Sequence, residues 1–376
     1  MNQKALLRIA EKLECLAGRL PSKIRNAVLS ELTPLKELFL QQRPPRFLFI
    51  GSSKMPTHTI INTLFTPGAE ETIDVALMPV HQWIDWNISG HGTISILDAR
   101  DAGDSAATQV EEDLRGQPAD IIFLFDDGES NLARPSAPNF MLHLRDDVGV
   151  ALGDAKVIGV SFGSERRAAQ LEEALKTQPA IRDRLLKVIQ FTEMHSAETR
   201  RLLSVLAAEL PNEAKIEMIR ISRDREAQHH VAQMLIKSTT AICTAIGAQP
   251  IPLADLPILT ALQVMMVSGI MYISGRERSL RAATEFITAL GANVGAGMLL
   301  REGARAILKF FPGWGNVVCG MVAGAGTFAI GRAATAFFIG GVSLRDARRK
   351  YLADRKRTSH KPYCLPGSSR ASKSIE

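Results

Sequence analysis

Between Arg46 and Phe191, six short apolar runs alternate with stretches of helical periodicity, and this rhythm constrains the fold more than any other feature of the chain. The runs are Arg46 to Ile50, Thr72 to Met78, Thr93 to Asp98, Ile121 to Phe125, Lys156 to Val160 and Lys187 to Phe191. Several are apolar throughout, as strands covered on both faces must be. Helical stretches at Thr57 to Phe65, Ser105 to Arg115, Ser136 to Leu152, Glu165 to Thr177 and Ser196 to Leu210 fall between most of them. Only the second and third runs follow one another without a helix, through the Trp83 to Gly92 region. That order predicts one antiparallel hairpin inside a mostly parallel six-stranded α/β sheet with helices on both faces.

The flanks read differently. Leu6, Leu7, Ile9, Leu13, Leu16 and Leu20 recur at helical spacing, Pro21-Ser22 interrupts, and a second helical run follows from Lys23 to about Gln41. Residues 1–42 are expected to form a helical hairpin packed on the domain that follows, which is placed at 43–211. Beyond Pro211 no strand pattern recurs, so 212–344 is expected to be an all-α apolar domain entered through a proline-studded connector, Gln249 to Pro257. Its uncharged stretches are Leu256 to Gly275, Phe286 to Leu300 and Phe310 to Gly331. The first and third reach the roughly 20 residues that span a bilayer. Gly291-x-x-x-Gly295 and Gly320-x-x-x-Gly324 would permit close helix contact. Trp314 sits where an interfacial anchor would, whereas Arg332 argues against a span, and a buried helix of a soluble bundle can also be apolar all round.

Charge sharpens the division. The chain of 376 residues carries a net +6, yet from Arg345 to Glu376 ten Lys or Arg stand against three acids, so the whole excess lies in this last segment. Residues 345–376 are expected to be a basic, disordered tail able to attract anionic lipid headgroups. No aromatic platform accompanies the charge, so nucleic acid is not an expected partner. Cys15, Cys243, Cys319 and Cys364 are far apart and suggest neither zinc nor a disulfide framework. Charges at Lys4, Arg8, Glu11, Lys12 and Glu14 interrupt any secretory leader. The expected location is cytoplasmic, at the inner membrane or inserted in it through the C-terminal domain, with a protein partner that the sequence does not identify.

The loop after the first run, Gly51 to Pro56, lies where a nucleotide-binding protein cradles phosphates. Such a loop needs Gly-x-x-x-x-Gly-Lys-[Ser/Thr], because backbone N–H groups line the phosphates, the Lys neutralises them and the hydroxyl binds Mg²⁺. Counted from Gly51, Pro56, Thr57 and His58 occupy the last three places. Pro56 has no N–H, Thr57 brings no charge, and His58 is a poor ligand for a hard cation. The candidate contacts that remain are Gly51, Ser52, Ser53, Lys54, Thr57, His58 and Thr59, with backbone N–H groups from Ser52 to Met55 and with Lys54 as a substitute cation.

Two segments carry a resemblance. Arg43-Pro44-Pro45-Arg46-Phe47 before the loop and Ile60-Ile61-Asn62-Thr63-Leu64-Phe65 after it look like the flanks of a P-loop in a G domain of the Era and TrmE type. Pro250 to Pro257, with Leu259-Thr260-Ala261-Leu262-Gln263 after it, looks like the start of the C-terminal domain of YcjF-like proteins. The resemblance, which extends to about Gly341, implies a GTPase-like fold, with GTP and Mg²⁺ as possible cofactors, joined to a helical, often membrane-associated module. Motif by motif the chemistry departs from it. Asp98 stands where Asp-x-x-Gly would hold Mg²⁺, but the fourth place is Asp101 and Gly103 comes two residues late. Ser161-Phe162-Gly163-Ser164 replaces the guanine-reading Asn-Lys-x-Asp, and Phe191-Thr192-Glu193 replaces the last motif. Thr72 is either a remnant of the switch threonine or the start of a strand. The resemblance and these departures together imply a pseudo-GTPase that serves as a membrane-associated interaction or scaffolding module, with a divergent but active GTPase as the alternative.

Gly159-Val160-Ser161-Phe162-Gly163 also satisfies Gly-x-Ser-x-Gly, and Asp183 with His195 or His229 would supply the order Ser, Asp, His of a hydrolase. Against this, one strand follows where a hydrolase sheet needs several. His229-His230 point about 100° apart on a helix and make a poor metal pair. Asp126-Asp127-Gly128-Glu129 is an acidic loop at a strand's C-terminal end, either a cation site or a solvated turn.

Overall fold

In the computed structural model, residues 22, 25–26, 29–32, 41–65, 81–88, 92–100, 102, 104–126, 154–191, 196–248, 255–291 and 314–360 are described. They fall into two compact units, Gln42–Asp224 and a second made of Met1–Gln41 with Arg225–Glu376.

The first unit is built on a six-stranded sheet. Its strands are β1 (Arg46–Gly51), β2 (Trp83–Ile88), β3 (Gly92–Asp98), β4 (Ile121–Asp126), β5 (Lys156–Ser161) and β6 (Leu185–Gln190). They lie in the order β2-β3-β1-β4-β5-β6, antiparallel between β2 and β3 and parallel elsewhere. This is the mostly parallel six-stranded α/β sheet with one antiparallel hairpin that the sequence predicts. Its helices are α1 (Thr57–Phe65), α2 (Asp104–Gly116), α3 (Glu165–Thr177), the single turn α4 (Pro179–Arg182), α5 (Ser196–Glu209) and α6 (Asn212–Ser222).

Strand periodicity sorts the core by chemistry. Phe47 and Phe49 of β1 and Phe123 and Phe125 of β4 share one face, where Phe47 stacks on Phe65 of α1 at 5.1 Å between centroids. The intervening Leu48, Ile50, Ile122 and Leu124 form the other face with Val110 and Leu114 of α2 and Leu171 and Leu175 of α3. All of these residues are buried, so the central strands read as the continuous apolar runs that a doubly covered sheet requires.

The hairpin partner of β3 differs from the expectation. Thr72 to Met78 lies outside the described residues, and the strand paired with β3 is Trp83–Ile88, which the sequence reading assigned to the connector. Among the described residues β2 is an edge strand, and it alternates: Asp85 and Asn87 are exposed while Trp86 and Ile88 are buried. The expected helix at Ser136 to Leu152 also lies outside the described residues.

The units divide after Asp224 rather than after Pro211, because α6 belongs to the sheet. The Glu217 carboxylate accepts the Thr93 N–H at 3.2 Å, and the Glu213 carbonyl accepts the Arg43 N–H at 3.1 Å. Gly92 leaves room for this docking, since a Cβ there would lie 2.7 Å from Glu217 Oε2.

The second unit comprises α7 (Arg225–Gly247), α8 (Asp255–Ile273), α9 (Leu280–Ala289), α10 (Trp314–Phe338) and α11 (Leu344–His360). The helical residues 29–32 pack within this unit: Leu32 joins Ile242, Cys243, Ile246, Leu259 and Leu262 in one buried cluster, and Ser238 donates to Glu31. The glycines of α10 set its distance from α7. A Cβ on Gly320 would meet the Thr244 carbonyl at 2.7 Å, one on Gly324 the Thr244 hydroxyl at 2.1 Å, and one on Gly331 the Ile236 side chain at 2.5 Å. Of the two Gly-x-x-x-Gly pairs, Gly320 and Gly324 therefore make the expected close contact, while Gly295 lies outside the described residues.

Among the described residues one helical segment, Gly320–Phe338, is long and apolar enough to cross a membrane, with 19 residues. The apolar part of α8, Ile258–Ile273, is shorter, because the chain turns at Gly275 with φ +90°. Within the basic segment, residues 344–360 form α11. Ser343 and Asp346 cap its start, the Ser343 hydroxyl donating to the Asp346 carboxylate and accepting from the Asp346 N–H. Ala347, Tyr351 and Asp354 turn inward at helical spacing, and Asp354 pairs with Arg332 of α10 at 3.3 Å.

Candidate functional site

The C-terminal ends of the parallel strands are where open α/β sheets collect ligands, and the register brings the expected residues together there. Pairing of Phe49 with Asp98 sets the end of β3 beside the loop that leaves β1. Gly51 takes φ +100°, which glycine tolerates and other residues adopt rarely. The turn points the Ser52 N–H at the Phe125 carbonyl, 2.9 Å away, so this donor is spent on β4. The Lys54 N–H is directed at the Ser52 hydroxyl at 3.2 Å. Ser53, Lys54 and Pro56 are exposed, and His58 and Thr59 occupy the first turn of α1, partly buried.

Arg100 governs the site, and the sequence reading did not single it out. Its Nε donates to Asp98 Oδ1 at 2.9 Å and one terminal nitrogen to Asp98 Oδ2 at 2.7 Å. That same nitrogen reaches the Thr57 hydroxyl at 2.8 Å, and the other terminal nitrogen donates to the Met55 carbonyl at 2.6 Å. The Thr57 hydroxyl in turn donates to Asp98 Oδ2. The guanidinium lies over the Phe125 ring at 5.3 Å and its side chain is 4% exposed. A further contact fixes the strand end: His81 Nδ1, which must carry the proton because its partner is a carbonyl, donates to Asp98 O at 2.9 Å.

These residues do not fit a magnesium nucleotide. Both Asp98 oxygens, which a hard cation would need, bind a guanidinium. The hydroxyl at the place of the phosphate lysine is held in the same network, and the N–H missing at Pro56 cannot be supplied. The neighbouring strand end repeats the pattern. Asp126, at the end of β4, accepts from Arg167 of α3 at 2.8 and 2.6 Å, so an arginine pairs with the first carboxylate of the acidic loop. Asp127 to Glu129 lie outside the described residues, among which there is no cluster able to hold a metal ion.

The nucleophile reading of Ser161 fails on geometry. Ser161 is the last residue of β5, paired in register with Asp126 and Gln190, fully buried, and its hydroxyl accepts the Gly163 N–H at 3.2 Å. It is not among the residues of positive φ and lacks the exposed, strained turn of a nucleophile elbow. Asp183 is exposed beside Arg182, His195 lies outside the described residues, and His229 belongs to the other unit.

Burial pushes the Asp98 carboxyl up, but its contacts with Arg100 and with the Thr57 hydroxyl outweigh this and hold it below the usual carboxylate range. A group held low contributes stability that is complete above its unfolded value and is lost as the pH falls through its folded value. Asp98 therefore supports the fold above about pH 4 and ceases to do so in more acidic solution. Asp98→Asn is expected to be less stable than the parent at neutral pH, with the gap closing in that acid range. Urea melts at stepped pH measure it, and a gap constant at every pH would show that the ionised carboxylate is not its source.

No protein-family profile matches the chain. A curated relative, magnetosome membrane protein 22 of Magnetospirillum gryphiswaldense, is 30% identical over 132 residues, which cover 32% of this chain. The match takes up 66% of that protein, so the chain spans just under two thirds of its length. Among solved structures, an oligomerised bacterial dynamin pair, described as a mechanism for the long-range sensing and tethering of membranes, aligns over 96% of this chain and 77% of its own. Its 11% identity and TM-score of 0.33 carry no argument, and the fold rests on the strand order and register given above.

Proposed function

We propose that this chain is a membrane-associated interaction module in which a GTPase-like unit, of the Era and TrmE type, is held in one state and does not hydrolyse nucleotide, while a YcjF-like helical unit serves the membrane. The observation that carries the reading is the Arg100 guanidinium on Asp98, Thr57 and the Met55 carbonyl. A switch that senses a γ-phosphate needs its metal carboxylate released to the metal. Here an internal cation has taken that role permanently. The loss of the phosphate lysine and the guanine-reading carboxylate, each worth about 1.5 to 3 kcal/mol, weakens any residual nucleotide binding by several orders of magnitude. Membrane association is supported by the basic composition of α11 and by the name of the curated relative.

Titration of the full chain with fluorescent GTP and GDP in Mg²⁺ is expected to show no saturable binding in the micromolar range. Guanine-selective micromolar binding would replace this reading with that of a divergent GTPase. Independently, the chain expressed in bacteria is expected to sediment with membranes, and recovery wholly in the supernatant would remove the membrane part.

A further inference from the structure

The fold of the helical unit constrains how a membrane could be engaged. The chain reverses after α10 at Gly340–Gly341, where Gly341 adopts φ +70°, and α11 packs back along α10, with Asp354 reaching Arg332. α11 carries seven Lys or Arg and two Asp. Charged side chains are expensive in hydrocarbon, so a bilayer around α10 would have to contain this basic helix as well. In this arrangement α10 packs within a helical bundle, with its glycines spent on α7.

The outer face of α11 has the opposite character. With Ala347, Tyr351 and Asp354 turned inward, positions 345, 349 and 352 share the outward side. Arg345 and Arg349 are exposed, and Leu352, about one turn beyond Arg349, is 45% exposed. Leu344 at 39% and Val342 at 37% add apolar contact at the start of the helix. The nearest acids do not neutralise the face. Asp354 is turned inward onto Arg332, and Asp346 meets Arg349 only in an exposed pair at 3.7 Å. A basic face interrupted by large apolar side chains is the composition that lies in the plane of an anionic bilayer surface, bases at the headgroups and leucine at the acyl boundary.

We infer that the chain docks peripherally on anionic lipid through the outer face of α11, with Arg345 and Arg349 at the headgroups and Leu352 inserted, and that α10 stays in the bundle. The inference rests on the membrane reading above and adds its lipid chemistry and mode. The test is flotation of the purified full chain with vesicles of phosphatidylcholine alone and of phosphatidylcholine mixed with phosphatidylglycerol, at low and high salt, with duplex DNA as competitor. Binding is expected only to the anionic vesicles and is expected to fall with salt. Replacing two bases, as R345Q/R349Q, should weaken it roughly 25-fold while the circular dichroism is unchanged. L352E should weaken it further.

Binding to neutral vesicles that survives salt and carbonate would overturn the inference in favour of insertion and leave the membrane reading standing. Binding unmoved by R345Q/R349Q, or duplex DNA held more tightly than anionic vesicles, would also overturn it. Failure on every vesicle overturns it too. In that case sedimentation with cell membranes decides separately whether the membrane reading survives through another partner.

Discussion

Arg100→Ala is expected to destabilise the sheet unit by about 3 kcal/mol, at the low end of the cost of breaking a buried ion pair by removing one partner. The estimate is low because the Asp98 side chain keeps 27% of its exposure and water can partly solvate it. The loss has three parts: a two-point carboxylate contact, a bond to a carbonyl that nothing else is shown to satisfy, and a cation over the Phe125 ring. For a domain of this size the melting temperature should drop by roughly 6 to 12 °C. Trp83 and Trp86 lie in β2 and report on this unit by fluorescence once Trp314 is replaced by Phe. Two companion variants make the attribution specific. Adding Asp98→Asn to Arg100→Ala removes the stranded charge and should recover part of the loss. Arg100→Lys keeps the charge without the planar fork and should restore less than the parent. An unchanged melt for Arg100→Ala would remove the observation on which the fixed-state reading depends.

Gly51→Ala is expected to cost on the order of 4 kcal/mol or more, large against the whole stability of a domain. Two effects combine. At φ +100° an L side chain is strained. Worse, the new Cβ would lie 2.2 Å from the Phe125 carbonyl oxygen, backbone that cannot swing aside because Phe125 is paired with Gly51 itself. Relief requires β1 and β4 to part at their ends, which also breaks the Ser52 N–H bond. The expected result is a chain whose sheet unit shows no cooperative unfolding transition while the helical unit keeps its circular dichroism. Gly326→Ala is the control: a Cβ there meets nothing within 4 Å, and alanine in a helix interior gains up to about 1 kcal/mol. A soluble, normally melting Gly51→Ala would mean that the strand ends are far more yielding than their register implies.

What the sequence disclosed follows from how local each cause is. β1, β4 and β5 were legible because a strand buried on both faces must be apolar at every position, and α1 was legible because Pro56 punctuates its start. β2 was passed over because an edge strand carries Asp85 and Asn87 outward and the signal is the fainter alternation of Ile84, Trp86 and Ile88. Asp98 was found from its place after an apolar run, while Arg100 was not, since its role depends on Met55 and Thr57 arriving from across the sheet. A local signal was nevertheless present: an Asp side chain commonly accepts from the backbone two residues on, as Asp98 does from the Arg100 N–H, so the two were candidates for a pair. Asp126 and Arg167 offered no such signal, because only the register of β4 with β5 brings the start of α3 to that strand end. In the final segment the charge count hid a helix whose capping pair, Ser343 and Asp346, and inward positions, Ala347 and Tyr351, were all readable.

The placement of Leu32 among Ile242, Ile246 and Leu262 bears on the order in which the chain can fold. The sheet unit is an insertion within the helical one, since the first segment of the helical core is made before the sheet and its partners only after it. During synthesis the early helix must wait, its apolar side uncovered, while all six strands emerge and pair. The sheet unit can finish folding on its own, and the helical unit cannot begin to close until α7 and α8 leave the ribosome. A chaperone bound to the nascent chain would therefore be sought first at Leu29 and Leu32 and released when α8 appears.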